Sequence, residues 1–248
     1  MVKRIALVVG ATGTLGKAIT KNLISKNIQL ILVANNSDRL EKLYEEIIDK
    51  ALLRPKIVPL DLNHSRSIDK LGGVIFDKYK KLDILINCSS FYPKLSPINH
   101  ILPKEFNKII NINITANWQL IRSLDPLLRY SKYGRAYFFI CKQKTYLEPY
   151  FSSYALSSNA IESLINSWKK EITKTNIKAS VYDPGPINSK LRNSAFPGEI
   201  KENIDTAEIA SAKFIKILEN SYKSWINGFL LFLKISLIGI PCKSNSSL

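Results

Sequence analysis

The chain has 248 residues, 46% of them hydrophobic, and 36 Lys and Arg against 20 Asp and Glu leave a formal charge of +16. That apolar content excludes a disordered chain, and three cysteines without a C-x-x-C pair exclude a Cys-rich zinc module and argue against a secreted disulfide framework. With two histidines no metal site is expected, and because the lysines are scattered along the chain, no nucleic-acid partner is expected either.

Taken in chain order, the apolar segments alternate in type. Residues 1–10 are short and apolar and run directly into a glycine loop, which reads as a first strand and not as a signal peptide. Short runs rich in Val, Ile, Leu and aromatics at 5–9, 29–33, 56–60, 84–87, 136–141, 179–182 and 228–233 predict buried strands. Between them, helical patterns cover 15–26, 38–53, 67–79, 104–129, 153–175 and 206–220. This alternation predicts an α/β fold: a Rossmann-type doubly wound parallel sheet of about seven strands with helices on both faces, in one domain over 1–248. Two long connections, 88–103 and 183–205, leave the carboxyl ends of strands, where open α/β sheets bind ligands. Long loops in compact domains are usually functional, and residues 186–204 are expected to form a substrate lid. The stretch 229–240 is interrupted by Lys234 and falls short of the ~20 apolar residues that span a bilayer. It is expected to be a last buried strand followed by a packed tail. No membrane contact is expected, and the chain is expected to be cytoplasmic.

The glycine loop carries the first chemical signal. In Val9-Gly10-Ala11-Thr12-Gly13-Thr14-Leu15-Gly16 the spacing Gly-x-x-Gly-x-x-Gly falls between a strand and a helix. Gly10 permits the tight turn, Gly13 lets the backbone approach a pyrophosphate, and Gly16 allows close packing of helix on strand. The helix N-terminus offers free N–H groups to phosphate, so Gly10, Thr12, Gly13, Thr14, Leu15 and Gly16 are expected to line a dinucleotide site. At the end of the second strand no acid occupies positions 34 to 36, where one would grip the ribose of NAD and repel a 2′-phosphate. Asn35 and Ser37 can donate to a phosphate and Arg39 can add charge, which favours NADP(H) over NAD(H). Ser37 alternatively reads as a helix N-cap.

On these residues the chain resembles the short-chain dehydrogenase/reductase family from Ile5 to about Leu233. Asp61-Leu62 is similar to the segment that contacts the adenine. Residues 87–90, Asn-Cys-Ser-Ser, resemble the family's Asn-Asn-Ala-Gly strand end, with only Asn87 kept. Asn113 falls where the family's catalytic Asn stands. Residues 183–189 resemble the Pro-Gly segment along the nicotinamide, which assigns Pro184, Gly185 and Ile187 to cofactor binding.

The resemblance implies a catalytic Tyr, a Lys four residues later that lowers its pKa, and a Ser about thirteen positions earlier that binds the carbonyl. Here Tyr154 is kept, Ser158 replaces the Lys, and thirteen positions before Tyr154 stands Cys141. The loss matters energetically. A free Tyr titrates near 10, and an ammonium at ~4 Å in an effective dielectric of about 20 contributes roughly 4 kcal/mol. A Ser hydroxyl carries no charge to replace it. Beyond Cys141, Gln143 is placed to face the site and Lys144 reaches it only if the loop curls. Cys141 reads otherwise as a small buried hydrophobe. Ile161, Leu164, Ile165, Trp168 and Ile172 form one helical stripe expected in a core or subunit interface. Helices 104–129 and 153–175 are expected to pair in a homodimer or homotetramer.

Two functions are therefore expected. The first is an NAD(P)-binding oxidoreductase acting on a small carbonyl or alcohol substrate through an altered site of Tyr154, Asn113, Cys141 and Ser158. The alternative is a catalytically inactive nucleotide-binding sensor or partner-binding pseudoenzyme.

Overall fold

The computed structural model of the chain describes residues 3–141 and 148–237. Gln143, Lys144 and Cys242 lie outside the described residues. Six strands form one parallel sheet: β1 (Arg4–Val9), β2 (Ile28–Ala34), β3 (Lys56–Pro59), β4 (Ile84–Asn87), β5 (Arg135–Phe139) and β6 (Lys178–Tyr182), in the order β3-β2-β1-β4-β5-β6. This is the doubly wound order, with the direction of winding reversing between β1 and β4. β2 and β4 are buried along their whole length, which is why their sequences, Gln29 and Asn87 apart, read as near-continuous apolar runs instead of alternating ones. The register pairs Val9 with Val33 on one side and with Asn87 on the other, so the carboxyl ends of the three central strands finish level.

Helices cover both faces. One core layer joins the sheet to α1 (Thr14–Leu23), α2 (Ser37–Ile47) and α8 (Ala207–Leu237), through Ile19, Leu23, Leu40, Leu43, Phe214 and Leu218. The other joins it to α3 (Ser65–Tyr79), α5 (Ala116–Tyr130) and α6 (Ser152–Glu171), through Ile68, Leu71, Leu120, Leu124, Ile161 and Ile165. The stripe of α6 is core: Ile161, Ile165, Trp168 and Ile172 are all buried, and the Trp168 indole N–H donates to Asp125 at 2.9 Å.

Two local expectations change. The strand expected at 228–233 is helical, because α8 runs unbroken from Ala207 to Leu237. A continuous apolar run without alternation fits either state, and helix length decides it here. The helix expected over 104–129 is divided into α4 (Pro103–Ile109), a π turn over Ile110–Thr115, and α5. The expected lid, 186–204, holds a short helix, α7 (Lys190–Ala195), and is tied at its base by a bridge between Ile187 and Asp205.

Candidate active site

The β1–α1 turn is built almost wholly from backbone. Gly10 adopts φ +79°, and a Cβ there would lie 2.9 Å from the Ser89 nitrogen at the end of β4. A Cβ on Gly16 would stand 2.2 Å from the Gly10 carbonyl oxygen, which no side chain tolerates. The turn is held by Gly10 and Ala11 N–H groups donating to Val33 C=O at 2.8 and 3.0 Å, and by Gly13 N–H donating to Gly10 C=O at 3.0 Å. Gly13 caps α1 with no side-chain hydrogen bond, and the first turn holds no acid. The leading N–H groups of a ten-residue helix therefore face the mouth of the sheet without a side-chain acceptor, beside the exposed Thr14 and half-buried Thr12 and Leu15.

Next to this turn, Asn35, Ser37 and Arg39 are exposed at the end of β2. The N-cap of α2 is Asn36, whose side chain accepts from Arg39 N–H at 2.8 Å, and not Ser37. Asp61, past the end of β3, accepts from both the backbone and the side-chain N–H of Asn63 at 2.9 Å, and Leu62 packs on the core. Past β6, Gly185 has φ +75° and donates to the Asp183 carboxylate at 2.9 Å, so Pro184 and Gly185 turn sharply. Ile187 is buried with Ala18 and Leu15, which brings this segment against α1.

The second half of the site is made of side chains. Asn87 is buried. Its amide donates to Asn117 at 2.7 Å, and its carbonyl oxygen accepts from Ser89 N–H at 3.0 Å. The π turn carries Asn113 inward, where it is 1% exposed. A π turn frees a backbone carbonyl from the helical ladder. That of Asn113 is taken up by the Asn117 amide at 2.6 Å. The Asn113 side chain accepts from Phe91 N–H at 2.8 Å, donates to Phe91 C=O at 2.7 Å, and donates to the Ser157 hydroxyl at 2.9 Å.

Tyr154 lies in the first turn of α6, 6% exposed. Burial pushes its hydroxyl up to about 12; Cys141 acts in the same direction and the Arg192 guanidinium draws it partly back. Ser158 is also buried and donates to the Cys141 carbonyl at 3.0 Å, so the position where the resemblance implies an ammonium is occupied by a neutral group spent on a backbone bond. Tyr154, Ser158 and Cys141 thus come together. Asn113 reaches them through Ser157 and Phe91.

Several residues around Tyr154 are not legible in the sequence. Tyr92 lies parallel to Tyr154, with centroids 4.0 Å apart and planes within 7°. Phe151 tilts against Tyr154 at 5.7 Å and stacks on Phe196 at 5.5 Å. Arg192 sits 3.9 Å above the Phe196 ring and binds Glu199 at 2.7 and 2.5 Å, which holds that carboxyl below its usual range. These come from three separate segments, and no local spacing connects them.

Among the described residues no His, Cys, Asp and Glu side chains gather as a metal site, and no helix is long and apolar enough to cross a membrane.

The family model of the short chain dehydrogenases matches residues 4–200. An uncharacterized oxidoreductase of Staphylococcus epidermidis is 23% identical over 224 residues, covering 89% of this chain and 93% of that protein. A dehydrogenase/reductase SDR family protein 7-like protein of Anopheles gambiae is 25% identical over 79% of this chain; the match spans 62% of the mosquito protein's own length. A putative short chain dehydrogenase of Shigella flexneri, solved in complex with NADP, superposes with a TM-score of 0.78 at 24% identity, over 83% of this chain and 86% of that one.

Proposed function

The chain belongs to the short chain dehydrogenase family, and from that premise we propose that it is an NADP(H)-dependent reductase of small carbonyl compounds in which Tyr154 gives the proton. The observation that carries this reading is the uncapped, backbone-lined β1–α1 turn at the level strand ends, together with Tyr154 in the first turn of α6. Burial raises the Tyr154 hydroxyl, so it holds its proton at neutral pH and stands as the proton donor, an acid weaker than a free phenol.

The residues of the β1–α1 turn fit a dinucleotide. Gly16 lets α1 pack against the Gly10 carbonyl, Gly13 lets backbone approach where phosphates would lie, and the uncapped first turn of α1 offers N–H donors to them. Asn35, Ser37 and Arg39, exposed and without an acid at 34 to 36, would hold a 2′-phosphate, which favours NADP(H); the Shigella protein was solved with NADP. Asp61 and Leu62 would lie along the adenine, and Asn87, Pro184, Gly185 and Ile187 along the nicotinamide side. A bound nicotinamide supplies the hydride. Tyr154 donates its proton to the carbonyl oxygen. Asn113 and Ser158 keep the wall around Tyr154 in place through Phe91, Ser157 and the Cys141 carbonyl, and act as positioning residues. Residues 186–204 act as the substrate lid within one domain, which is supported by Phe196 of that segment lying on Phe151. A second copy of the chain packs on α5 and α6, where Trp118 is 47% exposed beside Ile121 and Leu164. Three cysteines without a C-x-x-C pair support a cytoplasmic setting.

The test is a titration with NADPH and NADH, followed by NADPH oxidation against a panel of ketones and aldehydes. Tighter binding of NADPH than NADH is expected, with turnover that falls about 10²- to 10⁴-fold in Tyr154→Phe while NADPH affinity is kept. NADPH binding with no turnover on any carbonyl compound would overturn the reductase reading. Light scattering at micromolar concentration tests self-association, with a monomer counting against it.

A further inference from the structure

Asn117, in the first turn of α5, is 1% exposed and bonded to both halves of the site. Its side-chain oxygen accepts from the Asn87 amide at 2.7 Å, and its own amide donates to the Asn113 backbone carbonyl at 2.6 Å. The two partners fix which way round the Asn117 amide lies. Turned over, it would set two NH2 groups face to face on one side and two oxygens on the other. Buried polar groups left unmade in that way are costly, so the arrangement has one stable form.

The two partners belong to different walls. Asn87 closes β4, on the side read above as facing the nicotinamide. Asn113 holds Phe91 by both of its backbone groups, and it holds Ser157, one turn along α6 from Tyr154. Asn113 points inward because Ile110–Thr115 is a π turn. The alternative is the ordinary α ladder, in which a change of one residue in phase turns a side chain by about 100° around the helix axis. By taking up the Asn113 carbonyl, the Asn117 amide favours the π form over that alternative.

We infer that Asn117 is a positioning residue that sets the register between the Tyr154 wall and the nicotinamide wall. This rests on the reductase reading of the same site. Reduction places a hydride on the carbonyl carbon and the Tyr154 proton on the oxygen bonded to it. Two transfers to adjacent atoms require their donors to keep one relative placement, and a misplacement of about 1 Å costs on the order of a hundredfold in rate. Asn117 joins Asn87 to Asn113 through one planar amide, which leaves little play between the two walls.

The test replaces Asn117 by Leu, similar in size and without polar atoms. Asn117→Ser, whose shorter hydroxyl does not span both partners, is expected to move in the same direction and serves if the Leu variant fails to fold. The first readout is amide hydrogen exchange in the full chain without cofactor. Ser89 N–H donates to the Asn87 side chain and Phe91 N–H to that of Asn113, so the two report on the two walls. Both are expected to exchange at least about tenfold faster in the variants. Asp83 and Arg135, whose N–H groups bond at the far end of the sheet, are expected to exchange as in wild type. The second readout is NADPH-dependent reduction of a ketone panel. A kcat about ten- to a hundredfold lower is expected, with KM and NADPH affinity within about threefold of wild type. Unchanged exchange at Phe91 in a folded variant overturns the inference. So does equal acceleration at Asp83 and Arg135, which marks general loosening, or a fall in NADPH affinity or rise in KM with kcat kept. Faster exchange at Ser89 and Phe91 alone, with no ketone reduced by wild type, overturns the reductase reading and leaves the tie between the walls standing.

Discussion

At the β1–α1 turn the contacts are made by backbone, whereas around Tyr154 they are made by side chains drawn from four places in the chain. Gly10 and Gly16 act by having no side chain: the close approaches to Ser89 and to the Gly10 carbonyl leave no room for one, and at Gly13 the Gly10 carbonyl is also near. The Tyr154 half depends on what its side chains are. Asn113 clamps Phe91, Ser158 bonds the Cys141 carbonyl, and Tyr92 covers the Tyr154 ring. The difference teaches that the two halves fail in different ways. A substitution in the turn meets backbone that has nowhere to go. A substitution around Tyr154 meets side chains that can rearrange, and it changes charge and proton affinity before it changes shape.

The largest effect should come from the turn. Gly16→Val places branched carbon atoms against the Gly10 carbonyl, which would stand only 2.2 Å from the Cβ alone. Loss of NADPH binding by at least about a hundredfold is expected, of the order of the 1–3 kcal/mol and more that forced overpacking costs. Fluorescence titration with NADPH checks it, and binding within a few-fold of wild type would break the contrast between the two halves.

A smaller effect, and an opposite sign, is expected at Ser158. Ser158→Lys introduces the missing charge at a position 1% exposed, where the ammonium must also lose its water. The Coulomb gain of roughly 4 kcal/mol is therefore an upper bound. A rise of about tenfold in alcohol oxidation at pH 8 is expected, from a lower Tyr154 pKa. Adding Cys141→Ser, a stronger hydrogen-bond donor than the thiol, should raise that rate further. Rates against pH for the wild type and both variants check this. An alkaline limb that stays where it is in Ser158→Lys would mean that the ammonium does not reach Tyr154.

The smallest effect concerns stability in base. Tyr154 holds its proton more strongly folded, at about 12, than unfolded, near the ordinary 10. The folded state therefore binds more protons in that window, and stability present below pH 10 is lost as pH rises toward 12. Burial raises Tyr133 and Tyr137 in the same sense, so the Tyr154 share is read as the difference from Tyr154→Phe. Urea unfolding between pH 9 and 12 should show a shallower decline in the variant. Parallel curves would place Tyr154 in a wetter setting than the stacked rings imply.

Much of the architecture is legible in the residues themselves. Near-continuous apolar runs in β2 and β4, broken only by Gln29 and Asn87, mark strands buried on both faces, and Gly10 to Gly16 mark the turn where the backbone must pass close to itself. The departures lie where a local pattern has two physical solutions. The apolar run at 228–233 suits a strand or a helix, and α8 carries it as helix. Ser37 reads in the sequence as a cap for α2, and Asn36, one residue earlier, takes that place.

By itself, then, the sequence determined the α/β winding, the glycine turn and the absence of a cation at position 158, because each follows from residue type and near spacing. Only the tertiary structure decided that Tyr92 would lie on Tyr154, that Asn113 would spend its amide on Phe91, and that Arg192 would pair with Glu199 beside the Phe196 ring. Those contacts join residues tens of positions apart or lie within a connection without regular periodicity. Nothing short of the assembled sheet, with its strand ends level, brings them together.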